Sequence, residues 1–288
     1  MIEESKKRLE NIQAIEPYLN AMRNSSLGSW KMAINRIQSI HTYRSDLSRV
    51  LRTVSKQVHK IAKPDPVNNE RPLWIVVGSQ KGLVSNFNRR LSSLLQDELD
   101  NMRQAKPEVL PQVIIITNRA SFFRSQFTDA SIQPKYIPFD YDLTFESAAA
   151  LLANIPELIG NEEHTFYIYN QYAKSQLSTP IRRKATVIEE GSPIDYAVDD
   201  EEFPPFVIDS KPEEIKAEIE KVFTLLGFQE VLTNSIASEN SFRHRILEEA
   251  KNNTDRLINE LTIEIAMARK KEITKEIQEL AVAAGLIT

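Results

Sequence analysis

Residues 27–61 read LGSWKMAINRIQSIHTYRSDLSRVLRTVSKQVHKI. Apolar side chains recur there at Leu27, Trp30, Ile34 and Ile37, then past His41 and Arg44 at Leu47, Leu51, Val54, Val58 and Ile61. Steps of three and four mark the seam of a coiled coil, and a seam of about five heptads outlasts what a globular surface helix needs. Such a seam requires a partner of similar length. The end of the chain supplies one. From Pro212, suited to a first helical turn, the line Ile246, Ala250, Leu257, Leu261, Ile265, Ala268, Ile273, Ile277, Leu280 and Ala284 predicts a second long helix, with a weak spot at Gly227.

Upstream of the quoted stretch, Ile12, Ile15, Leu19 and Met22 form another stripe. It is out of register with the first near residues 25–26, which predicts a change of partner or twist there. Pro17 costs about 3 kcal/mol in a helix interior and predicts a kink near residues 13–17. Pro64 and Pro66 end the helix. At ~1.5 Å per residue this element is about 90 Å long, more than one globular core covers. Residues 280–287 are apolar on almost every side, so something must surround them in water.

Between the helices the period changes. Leu73-Trp-Ile-Val-Val77 reads as a buried strand, followed by the loop Gly78-Ser-Gln-Lys-Gly82 and a helix over residues 85–104. Residues 113–117 and 164–170 read as further strands with a helix over 144–159 between them, and a fourth strand is expected at 181–188. Strands alternating with helices imply a largely parallel sheet. The expected fold is therefore α/β. A long antiparallel coiled coil of residues 1–63 and 212–288 carries an inserted Rossmann-like domain, residues 72–211.

Composition narrows the functions. The 288 residues include 7 Gly, against roughly 20 at average usage, which disfavours turn-rich all-β folds and glycine-loop enzymes. There is no Cys, so thiolate zinc sites, cysteine nucleophiles and disulfides are excluded. His41, His59, His164 and His244 lack the spacing of a metal site. No signal-peptide core and no membrane-length apolar run is present, which implies an intracellular chain that meets membranes only through partners. Charge is uneven: residues 1–63 carry twelve Lys or Arg against five acids, residues 64–211 fourteen against twenty-one, and residues 212–288 ten against fourteen. A basic first helix beside an acidic last one suits antiparallel pairing, although solvated faces alone account for it equally well. No basic surface interleaved with aromatics points to nucleic acid. The acidic run at residues 199–202 reads as a solvated loop.

The loop after the first strand invites a phosphate-binding reading, because backbone N–H groups at a helix start attract anions. Its sequence is neither a P-loop nor Gly-x-Gly-x-x-Gly, so a tight structural turn is the expectation. No catalytic set, metal site or cofactor site can be assembled.

Ser235-Ile-Ala-Ser-Glu239, Asn253-Thr-Asp, Leu257-Ile, Leu261-Thr-Ile, Ala268-Arg269 and Ile273-Thr274-Lys-Glu276-Ile277 stand in an order and spacing that resembles the γ subunit of F-type ATP synthase. Arg8, Ile12, Ala21-Met22 and Lys31 resemble its first helix; Lys81-Gly-Leu83 and Phe87-Asn88 resemble its first-strand loop. The resemblance covers essentially the full chain. It implies a non-catalytic rotor shaft at the cytoplasmic face of a bacterial membrane. The partners would be the α and β subunits, the ε subunit and the membrane c-ring, with no cofactor, metal or nucleic acid. Implied β-subunit contacts are Arg269, Lys270, Arg8 and Met22. The implied ring-bearing tip is Ile273, Ile277, Leu280 and Ala284. Lys81, Gly82, Leu83, Phe87 and Asn88 would form a loop on the c-ring and ε side.

The chain resembles a divergent member. Arg269-Lys270 replaces the family's Arg-Gln, Ile265-Ala266 its Tyr-Asn, and Val84-Ser-Asn86 its Cys-Gly-Gly, while residues 24–28 and Pro17 also depart from the usual first helix. The alternatives are a γ-like coiled-coil scaffold that does not rotate and a small-molecule enzyme on the Rossmann-like domain.

Overall fold

The computed structural model describes residues 2–57, 71–126, 132–139, 143–159, 161–173, 178–185 and 211–283. Val58, Ile61, the stop at Pro64 and Pro66, the acidic run 199–202 and the tip residue Ala284 lie outside the described residues.

Two long helices carry the ends of the chain, α1 (Ile2–Gln57) and α5 (Pro212–Ala283). The helix assignment of α1 continues through Pro17, and that of α5 continues through Gly227. The weak spot expected at Gly227 does not interrupt α5. Residues 228–240 are all buried, and that packing outweighs the roughly 1 kcal/mol by which glycine disfavours a helix.

Between them lie β1 (Leu73–Val77), α2 (Ser85–Ala105), β2 (Gln112–Ile116), α3 (Ala120–Gln126), β3 (Lys135–Ile137), α4 (Phe145–Ala153), β4 (Thr165–Gln171) and β5 (Thr179–Lys184). The sheet order is β3-β2-β1-β4-β5. The first four strands run parallel, and β5 pairs antiparallel with β4. Alternate residues serve two cores. Leu73, Ile75, Val77, Ile114, Ile116, Tyr167 and Tyr169 face α4 and α5, where Leu152, Phe228, Val231 and Leu232 meet them. Trp74, Val76, Val113, Ile115 and Ile168 face α2 and α3, against Leu91, Leu95 and Phe123. Burial on both faces explains why these strands read as continuous apolar runs.

Several boundaries differ from expectation. β3 and α3 were not foreseen, because three and seven residues are too few to show a period. The helix expected to reach residue 159 ends at Ala153, and a single 3-10 turn at Pro156–Leu158 follows. Pro156 accounts for this, since the residue before a proline is pushed out of the helical region. β5 spans Thr179–Lys184, and residues 186–188 of the expected strand lie outside the described residues.

The chain divides into two compact units, residues 1–28 with 243–288 and residues 29–242. In the first, α1 and α5 pair antiparallel: Ser5 donates to Glu264 at 2.9 Å and Arg23 to Glu248 at 3.0 Å. In the second, Leu51 and Val54 pack on Ile219 and Phe223, while Trp30, Ala33 and Ile37 pack on the larger core.

The seam itself corrects the sequence reading. Every buried residue of α1 whose side chain is described (Ser26, Ala33, Ile40, Arg44, Leu51 and Val54) lies on one line of alternating three- and four-residue steps, completed by Trp30, Ile37 and Leu47. The half-buried Ser5, Leu9, Ile12, Glu16, Leu19 and Arg23 continue that line with no change of phase near residue 25. Following apolar side chains alone selected Ile34 over Ala33 and put Ile15 and Met22 in a stripe, yet these two are 54% and 44% exposed. Polar groups hold seam positions by finding local partners, as Ser26 does in donating to the Met22 carbonyl at 2.9 Å. On α5 the buried seam residue is likewise Leu247, at 2% exposure, with Ile246 only half-buried.

Candidate functional site

Three surfaces were expected to carry function, and the structure treats them differently. The first is the loop after β1. It lies at the carboxyl end of the first strand, where the strand order reverses between β1 and β4, the place at which open α/β sheets hold ligands.

Here the loop is filled from within. The backbone N–H groups of Gln80 and Lys81 donate to the two carboxylate oxygens of Glu239 on α5, each at 3.0 Å. Glu239 is 1% exposed. It occupies the anion position that such a nest of N–H groups creates. The rest of the loop is tied down as firmly. Ser79 N donates to Asn88 Oδ1 and Asn88 Nδ2 to Ser79 Oγ, both at 2.8 Å; Thr117 Oγ1 donates to the Ser79 carbonyl at 2.6 Å. Ser235 on α5 donates to the Val77 carbonyl at 3.3 Å. Gly78 is required by space, since a Cβ there would lie 2.6 Å from Phe123 Cε2 and 3.1 Å from Thr117 Cβ.

The loop's outer side is what it presents. Leu83 has φ 64°, unusual for a residue with a side chain, and is 50% exposed. Lys81, Arg89, Arg90 and Arg119 are exposed, and the Arg119 guanidinium lies 3.7 Å from where a Cβ of Gly82 would stand. Phe87 and Asn88 are buried, at 3% and 5%, so they shape the loop and do not form its surface. Glu239 has no role legible from the sequence beyond the family resemblance. The available signal was an acid within Ser235–Glu239, a stretch whose other members are small or apolar.

The other two surfaces are exposed. Arg8, Met22, Arg269 and Lys270 all face solvent. Every residue from 269 to 280 is exposed, including Ile273 (55%), Ile277 (60%) and Leu280 (69%), which share one helix face. Among the described residues no group of three or more His, Asp or Glu could hold a metal ion, and no helix is long and apolar enough to cross a membrane.

The family model described as ATP synthase matches residues 1–285. The chain belongs to that family. Among ATP synthase gamma chains, that of Nautilia profundicola is 23% identical over 292 residues, covering 98% of this chain and 97% of the relative. The one from Chlorobaculum parvum is 25% identical over 292 residues, covering 97% and 96%. Two solved structures share the fold. A chain in the rotor of Euglena gracilis mitochondrial ATP synthase, rotational state 1, has a TM-score of 0.51 at 12% identity, over 94% of this chain and 98% of that one. A chain in the central stalk and c-ring of the Tetrahymena thermophila mitochondrial enzyme has a TM-score of 0.52 at 16% identity, over 81% and 99%. The scaffold and small-molecule-enzyme alternatives find no support among these ATP synthase relatives.

Proposed function

We propose that this chain is the central-stalk rotor subunit of an F-type ATP synthase. It couples ion flow through a membrane c-ring to ATP synthesis or hydrolysis in the α and β subunits, at the cytoplasmic face of a bacterial membrane. It does no chemistry itself. The observation that carries this reading is the exposed apolar face Ile273, Ile277 and Leu280 at the end of α5. A helix face of that kind needs a sleeve, and a ring of α and β subunits supplies one. Arg269, Lys270, Arg8 and Met22, all exposed, are the candidate contacts with β subunits.

The loop carrying Lys81, Gly82 and Leu83 is a further candidate contact with partner subunits, shaped from within by buried Phe87 and Asn88. α5 begins at Pro212, packs through Phe223 on Leu51 and Val54, and reaches the loop only at Glu239. The loop presents exposed Leu83. With exposed Lys81 and Arg119 beside that leucine, the surface fits an acidic segment bearing an apolar side chain.

The test is co-purification from the native host of the tagged full chain beside a version ending at Ala268. Recovery of α and β subunits with ATPase activity by the full chain, weakened by the truncation, supports the reading. Failure of the full chain to bring down either subunit refutes it.

A further inference from the structure

Away from the loop, one buried carboxylate gathers cations from two further elements. Glu230 on α5 is 3% exposed. Its Oε2 accepts from Arg44 Nη1 on α1. Its Oε1 accepts from Arg183 Nη1 on β5 at 3.2 Å and lies 3.2 Å from His41 Nε2 on α1. Arg183 also hydrogen-bonds Tyr169 of β4, and the Arg44 guanidinium lies 5.9 Å from the ring centre of Phe223. The other acid near this cluster is Glu162, which accepts from Thr224 at 3.4 Å and acts on buried Tyr167.

Arg44 occupies a seam position, where a heptad ordinarily places an apolar side chain. The layers on either side, Ile40 and Leu47, hold α1 by non-directional contact that tolerates a shifted register. A guanidinium in the seam does not, because any shift strands it and Glu230 as buried, unpaired charges. Arg183 extends the same constraint to the edge strand of the sheet. We propose that Glu230, Arg44 and Arg183 form a register lock joining the helical pair to the sheet, and that they are positioning residues for the torque passing between the two. The proposal rests on the rotor reading.

The test uses the assembled complex in membrane vesicles and reads membrane potential generated per ATP hydrolysed, together with thermal stability. The wild-type chain is read first, and its failure to enter an ATP-hydrolysing complex counts against the rotor reading itself. Glu230→Gln leaves two guanidinium groups without their anion, so both stability and potential per ATP fall. The combined variant Arg44→Met, Arg183→Met and Glu230→Met removes all three charges and restores stability, as apolar replacement of a buried ion cluster can. Its potential per ATP stays below that of the wild type. A restored protein that also pumps normally overturns the lock. Should the combined variant not assemble, Arg183→Met alone, which keeps the Arg44–Glu230 pair, lowers potential per ATP; an unchanged value there overturns the proposal equally.

Discussion

Replacing Glu239 by Ala removes the carboxylate that accepts from two loop amides, Gln80 N and Lys81 N. The first is buried and the second partly buried, and an unsatisfied buried donor costs about 1–3 kcal/mol. The two together place the loss at about 2–5 kcal/mol, the upper part applying because the acceptor is a carboxylate. Glu239→Gln loses less, since one oxygen still accepts while its amide opposes the second N–H. The assay is urea unfolding combined with amide hydrogen exchange resolved at Gln80 and Lys81. Both amides lose protection in Glu239→Ala, and formate, a small carboxylate able to enter the vacated space, restores it. Unchanged protection of Gln80 and Lys81 in the Ala variant refutes the assignment of Glu239 as the loop's internal anion.

Gly78→Ala forces Phe123 to move, because the new Cβ meets its ring at 2.6 Å, and unfolding shows a loss of about 1–3 kcal/mol. Leu83→Gly relieves the left-handed backbone at φ 64° and leaves stability level or higher by about 1 kcal/mol, as urea unfolding measures. Burial alone would raise the Glu230 carboxyl, but the hydrogen bond from His41 and the charges of Arg183 and Arg44 outweigh it and hold it down at about 2. A depressed pKa contributes stability that is present above the unfolded value of about 4.5 and lost as pH falls through about 2. Stability measured between about pH 5 and about pH 3 therefore declines less steeply in Glu230→Gln than in the wild type.

The long helices and the parallel strands were legible because their patterns run over many residues. β1 is found where the apolar run Leu73 to Val77 placed it. The seam was legible in period and over much of its phase, since Trp30, Ile37, Leu47, Leu51 and Val54 stand on it as read; Arg44, read as a gap, is one of its buried members, because burial of an arginine depends on a Glu230 that stands far away in sequence. The same reason hid Glu239. A loop that reads as a weak phosphate motif and an acid on a distant helix have no connection until the chain folds. The short elements β3 and α3 were invisible for want of length, and their placement comes from pairing with β2 and packing on α2.

Alternating steps of three and four average about 3.5 residues per turn, against about 3.6 for a straight helix, so a pair that keeps such a seam winds left-handed. The seam of α1 keeps that alternation from Ser5 to Val54. A left-handed rope responds to the sign of the twist applied to it. Turned one way it tightens and presses its seam layers together; turned the other way it slackens and opens them. A rotor built on such a pair is therefore stiffer in one direction of rotation than in the other, so that synthesis and hydrolysis load the same residues unequally.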